Sequence, residues 1–174
     1  MRSRDTSSIL TFYPYSYEAY IQSLSGIPTW RFQTPPGTQL VSLSSRPPEE
    51  KVASIGRVLG DRSVFYKYLN PHLIVLAVAD PSHSQFTLYL VDNVSGQILH
   101  ELKHRSVDVS KGIHTHVVEN VVYWSYYSTG EAPSQSRGGR ITVAELYESR
   151  ERNQRFNEYA SFLPSRCYEC INVS

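Results

Sequence analysis

The sequence predicts an all-β fold of antiparallel meanders, and three observations carry that expectation. Thirteen Tyr, 6 Phe and 2 Trp among 174 residues suit half-buried pleated surfaces. Short apolar or alternating runs recur along the chain, each bounded by Gly, Pro, Asn, Asp or Ser. Between Leu73 and His104, such runs follow one another through tight connections, which is a meander. Short, evenly spaced strands suit a sandwich, barrel or propeller, and meanders of about four strands in about 40 residues are what propeller blades look like. The chain holds one fair blade and parts of two others, so a partial β-propeller is expected.

In chain order, residues 1–36 read as irregular, because Ser, Tyr and Pro dominate and Pro28, Pro35 and Pro36 oppose regular pairing. Within them Thr29–Phe32 looks like a short strand end. Thr38–Leu43 alternates around Leu40 and Val41 and predicts a strand. Arg46–Glu50 is a loop. Lys51–Lys67, with Gly56 and Gly60, suits short extended pieces joined by tight turns. Leu73–Ala79 is continuously aliphatic, as expected of a strand buried on both faces. After a turn at Asp80–Ser84, Gln85–Val91 is a second strand. Asp92–Gly96 is a tight connection whose glycine supplies a positive φ. Gln97–His104 alternates, placing Ile98, His100, Leu102 and His104 on one face and Leu99, Glu101 and Lys103 on the other. The pattern restarts with strands at His114–Val118 and Val121–Tyr127 around a turn at Glu119-Asn120. Ser128–Gly139 is a polar loop and Arg140–Tyr147 a last strand. Residues 148–163 predict a short helix or coil carrying Phe156, Tyr159 and Phe162. Domain-wise, this divides the chain into an irregular stretch (1–36), a blade region (37–147) and a tail (148–174).

Composition excludes several classes. Seventeen Lys and Arg against 16 Asp and Glu leave a net charge of +1, which gives no basic face for nucleic acid. The longest clean apolar run, Leu73–Ala79, falls far short of the about 20 residues of a membrane helix. Met1–Ser8 is followed by no apolar stretch of a secretion signal. The two cysteines, Cys167 and Cys170, lie too close to the end to frame the domain with disulfides.

Two segments go beyond generic β signals: Val52–Pro71, reading VASIGRVLGDRSVFYKYLNP, and the series Tyr89–His100, Val118–Trp124 and Ile141–Glu148. In this order they resemble the C-terminal luminal region of subunit 1 of the endoplasmic reticulum membrane protein complex, over roughly residues 30–163. The resemblance implies quinoprotein-like propeller blades within a larger protein that has a signal peptide and one transmembrane helix. It implies a non-enzymatic scaffold on the luminal side of the endoplasmic reticulum membrane. The complex it implies inserts transmembrane segments of tail-anchored and multi-pass clients, and the expected partners are its other subunits. Membrane association is expected only through the transmembrane helix of the longer family protein. Gly56, Arg57, Gly60, Asp61, Arg62, Tyr66, Lys67, Asn70, Pro71, Asp92, Gly96, Glu119 and Asn120 are carried over as structural motif residues. No catalytic residue, metal or cofactor is implied. The residues after Leu163 do not resemble the family continuation, so an aberrant tail is expected there.

Other motifs have plainer readings. Gly56–Arg62 lacks the Lys-Ser/Thr pair and following helix of a phosphate loop, and is expected to be a turn in which an Asp–Arg pair ties strands together. His114 and His116 share a strand face and could join His100 and His104 around zinc; ordinary polar sheet positions are expected. Cys167-x-x-Cys170 has redox spacing without the βαβ context that lowers a thiol pKa, so its cysteines are read as incidental. Asn93-Val94-Ser95 and Asn172-Val173-Ser174 match the glycosylation pattern, and Asn93, on a hairpin, is the candidate acceptor. A quinoprotein-like propeller dehydrogenase is the enzymatic alternative, and a generic interaction domain the blander one. The former needs a Glu, Asn and Asp set for calcium and quinone plus a catalytic Asp, and no spacing identifies one.

Overall fold

In a computed structural model, residues 9–12, 18–22, 28–130, 136–148 and 162–164 are described. They form antiparallel sheets and two short 3-10 turns, at Pro81–His83 and Val109–Lys111. Among the described residues no helix is long and apolar enough to cross a membrane.

The first sheet is a meander of β1 (Ile9–Phe12), β2 (Glu18–Gln22) and β3 (Pro28–Gln33). This corrects the expectation that residues 1–36 are irregular. Pro28 is compatible with a strand because it occupies the first position of β3, where a missing N–H is tolerated.

The second sheet is ordered β4 (Gln39–Ser45), β7 (Leu73–Asp80), β8 (Gln85–Asp92) and β9 (Ile98–Arg105). Between its first two strands the chain makes a hairpin of β5 (Gly56–Val58) and β6 (Val64–Tyr66). The insertion leaves and returns at one place. Ser45 pairs with Ile74, and an Arg46 guanidinium N–H donates to the Leu69 carbonyl at 2.9 Å.

The third sheet is ordered β10 (His114–Val118), β11 (Val121–Ser128), β12 (Gly138–Glu148) and β13 (Phe162–Pro164). β13 pairs with Leu146–Glu148 along an otherwise open edge, so Phe162 and Leu163 are strand where a helix or coil was expected. The rest of that expectation, at 149–161, and Cys167, Cys170 and Asn172 lie outside the described residues.

The middle sheet is buried on both faces, as its aliphatic run predicts. Leu73, Val75, Ala77 and Ala79 point into one core and Ile74, Leu76 and Val78 into another. The first core is shared with Val117, Val122, Trp124, Tyr126, Ala144 and Leu146 of the third sheet. The second contains Phe32 of β3 with Leu40, Tyr89 and Val91. Each fully buried Leu, Ile or Val contributes about 1.5–3 kcal/mol by leaving water, so the layers hold one another together. A hydrogen bond between the hydroxyls of Ser42 and Thr115, at 2.9 Å, also ties the second sheet to the third.

One predicted face is corrected. Leu90 pairs with His100 but Val91 pairs with Ile98, so Leu99 is an extra residue in a bulge. Ile98 therefore packs against the second core, while Leu99 and Leu102 belong to the first. Strict alternation assigns all four inward residues to one face because it has no means of counting a bulge.

Candidate functional site

The motif residues of the 52–71 segment are held against the two turns at 92–96 and 119–120. Lys67 and Glu119 form a half-shielded ion pair at 2.5 Å. Glu119 has φ 50°, a left-handed conformation unusual outside glycine. Its other carboxylate oxygen accepts from the Ala53 N–H at 3.1 Å, and its own N–H donates to Glu50 at 2.8 Å. Glu50 in turn pairs with Arg46 at 2.9 Å. The Lys67 ammonium, then the Ala53 N–H, hold the Glu119 carboxyl below its ordinary range.

Asn120 is buried, and its side-chain amide donates to the Leu146 carbonyl at 2.8 Å. The Leu146 N–H donates to the Asn120 carbonyl at 2.7 Å, and the Tyr68 N–H reaches the same Leu146 carbonyl at 3.0 Å. One strand position of the third sheet thus joins both the 119–120 turn and the 52–71 segment.

The second turn is organised by Asp92. One carboxylate oxygen accepts from the N–H groups of Val94 and Ser95, each at 2.9 Å. The other accepts from the Asn70 amide at 3.0 Å. Burial raises the Asp92 carboxyl, but the bonds from Ser95, Asn70 and Val94 outweigh it and hold the group below its ordinary value. Asn70 also accepts from the His72 N–H at 2.8 Å, which fixes the entry to β7. Gly96 has φ +72°, and a Cβ there would lie 2.7 Å from Cγ of Trp30. The Trp30 indole N–H donates to the Asn93 carbonyl at 2.7 Å.

The structure therefore brings Lys67, Asn70, Asp92, Gly96, Glu119 and Asn120 into one bonded seam around the strand ends. The remaining motif residues stand apart from it. Gly60, Asp61 and Arg62 form the exposed tip of the β5–β6 hairpin, and Tyr66 and Pro71 are also exposed. Gly56 is where β5 approaches β6, since a Cβ there would lie 2.7 Å from Val64. Asp61 accepts from the N–H and hydroxyl of Ser63, while Arg57 lies 4.0 Å from Glu145 of β12. Sequence reasoning missed Trp30, Arg46 and Glu50. The signal for Trp30 was its place in an apolar strand end; Arg46 and Glu50 stood four apart in a segment taken as loop.

The histidines are dispersed. His114 and His116 are exposed on β10. His104 is packed among the rings of Phe86, Trp124 and Tyr126, with centroids at 4.8, 5.4 and 5.3 Å. Burial lowers the His104 pKa to about 4. Among the described residues no three His, Cys, Asp or Glu side chains converge as metal ligands. Asn93 is half-buried, and its side-chain oxygen is enclosed.

Comparison with known proteins matches residues 4–170 to a family model described as ER membrane protein complex subunit 1, second beta-propeller. The match extends beyond the 30–163 interval at both ends and includes Cys167 and Cys170. The chain is 36% identical over 136 residues to ER membrane protein complex subunit 1 of Xenopus laevis, covering 75% of this chain and 13% of that protein. It is 30% identical over 148 residues to the subunit of the same name in Schizosaccharomyces pombe, covering 80% and 16%. With the Saccharomyces cerevisiae subunit it is 32% identical over 130 residues, covering 74% and 16%. The chain thus spans between 13% and 16% of the length of these three relatives.

Proposed function

The chain belongs to the ER membrane protein complex subunit 1 family, and on that premise we propose that it is a non-catalytic scaffold region on the luminal side of the complex. Its work is to present rigid stacked blades to the other subunits. The complex it serves inserts transmembrane segments of tail-anchored and multi-pass clients, and this region supports that activity without contributing reacting groups. The seam centred on Glu119, Lys67, Asn120 and Leu146 carries the reading. The motif side chains are spent on tying the 52–71 segment to two sheets, as expected of residues whose task is shape.

The test is assembly. Tagged full-length subunit carrying this region should co-purify with the other subunits, and deletion of residues 52–147 should disrupt the complex. Undiminished recovery of every subunit from the deletion variant would sink the scaffold reading.

A further inference from the structure

One inward-facing row crosses three strands of the third sheet. Thr115 of β10 is the cross-strand partner of Trp124 of β11, and Trp124 is that of Thr142 of β12. Directly paired residues project from the same face of a sheet. Trp124 belongs to the core shared with the second sheet, so all three side chains face that sheet. The neighbouring inward row, Val117, Val122 and Ala144, is wholly apolar. A polar line is thus laid through an apolar layer.

The two ends of the line are met differently. The Thr115 hydroxyl bonds the Ser42 hydroxyl of the second sheet at 2.9 Å. The Thr142 hydroxyl and the Trp124 indole N–H have no hydrogen-bond partner among the described residues. Trp124 is 1% and Thr142 2% exposed, so bulk solvent serves neither. Leaving both unpaired would cost the full desolvation of each, and native cores rarely do so. Facing them from the second sheet is the His104 ring, its centroid 5.4 Å from that of Trp124. His104 stacks on Phe86 at 4.8 Å with 17° between the planes, which uses the face of its ring and not its nitrogens.

We propose that one internal water molecule is bound between Trp124 and Thr142, accepting from the indole N–H and donating to the threonine hydroxyl. Three arguments select water. An indole N–H only donates, so its ligand must accept, which excludes a metal ion. An anion would lie uncompensated in an apolar layer, whereas water is neutral and both accepts and donates. Directly paired positions have Cβ atoms about 4.5–5.5 Å apart, a separation that one water can bridge with bonds of about 2.8–3.0 Å. A nitrogen of His104 can complete a third bond, which would carry the line into the second sheet as the Ser42–Thr115 bond does at the other end. Apolar layers can slide on one another; two polar ties across the same interface fix their register.

The experiment uses a full-length family member carrying this segment within its intact complex. Thr142→Val removes the hydroxyl and keeps the volume. With the water bound, the swap breaks a bridge and should lower the melting temperature by a few degrees. If the hydroxyl were unpaired, the swap would remove a buried polar group and raise it, so an unchanged or raised value overturns the proposal. Trp124→Phe combined with Thr142→Val should lower the melting temperature by less than the two single shifts together, because either substitution alone breaks the bridge. Additive shifts overturn the proposal as well. A density map of the wild-type complex that shows ordered solvent is the second measurement, and it decides if a variant fails to fold. A solvent peak within about 3.2 Å of both Trp124 Nε1 and Thr142 Oγ1 is expected. No peak there, or a protein atom bonded to either group, overturns the proposal.

Discussion

Gly96 lies beneath the indole of Trp30, so closely that a Cβ on Gly96 would sit 2.7 Å from the ring. The 92–96 turn and β3 are therefore fitted together by the absence of a side chain. The same turn accepts the indole N–H through the Asn93 carbonyl.

Gly96→Ala should destabilise the chain by about 2–4 kcal/mol, adding the cost of a left-handed alanine to that of overpacking. Gly60→Ala is the control, because nothing lies within 4 Å of a Cβ there. Thermal unfolding of the two variants should separate clearly.

Lys67→Met should lower stability at neutral pH, because it leaves the Glu119 carboxylate with the Ala53 N–H but without its cation. The folded pKa of Glu119 is depressed, so its contribution is present above the unfolded carboxylate pKa and lost as pH falls through the lower folded value. The wild-type chain should therefore lose stability below about pH 4.3. Urea midpoints measured in the acid range should fall less steeply for Lys67→Met.

His104 gives a second and separate pH window. Its folded pKa is lowered to about 4 by burial, so the unfolded chain binds the proton more readily between the ordinary histidine value and pH 4. Stability is full above about pH 6.5 and declines towards pH 4, by about 3 kcal/mol at most. His104→Phe should flatten that slope, and denaturant titrations at pH 7, 5.5 and 4.5 would read it.

Trp124 sits in the core between the second and third sheets, fully buried. Trp124→Ala should cost about 3–5 kcal/mol through lost burial and cavity formation. Trp124→Phe should cost much less, because the indole N–H has no hydrogen-bond partner among the described residues. Calorimetric melting of both variants would test the ranking.

Asn93 should carry no glycan when the chain is produced in a secretory compartment. Its side-chain oxygen is enclosed and its backbone carbonyl is engaged by Trp30. A glycosidase-dependent mass shift mapped to Asn93 would contradict this.

The β7–β8–β9 meander was legible because hydrophobic patterning and turn residues agree there. The buried run Leu73–Ala79 needs no partner information to be read. Of the N-terminal strands only β3 was signalled, at Thr29–Phe32; β1 and β2 were not legible, since they exist by pairing with one another and with β3, whose Phe32 meets Tyr89 with ring centroids 5.2 Å apart. The split between Ile98 and Leu99 was hidden because a bulge is a property of two strands, whereas alternation is read along one. Of the site, the motif residues could be named but not connected. The Lys67–Glu119 pair spans 52 positions, and the Glu50 bond to the Glu119 N–H spans 69. Such separations leave no local trace in composition or period.

The insertion between β4 and β7 departs and returns at one spot, marked by the Arg46 bond to Leu69 and the pairing of Ser45 with Ile74. To the blade it is therefore equivalent to a plain two-strand connection of unusual length. Lys67, Tyr68 and Asn70 fix its returning end to the sheets, so it is the exposed tip at Gly60–Arg62 that can lengthen, shorten or change its surface chemistry without altering how the blades stack.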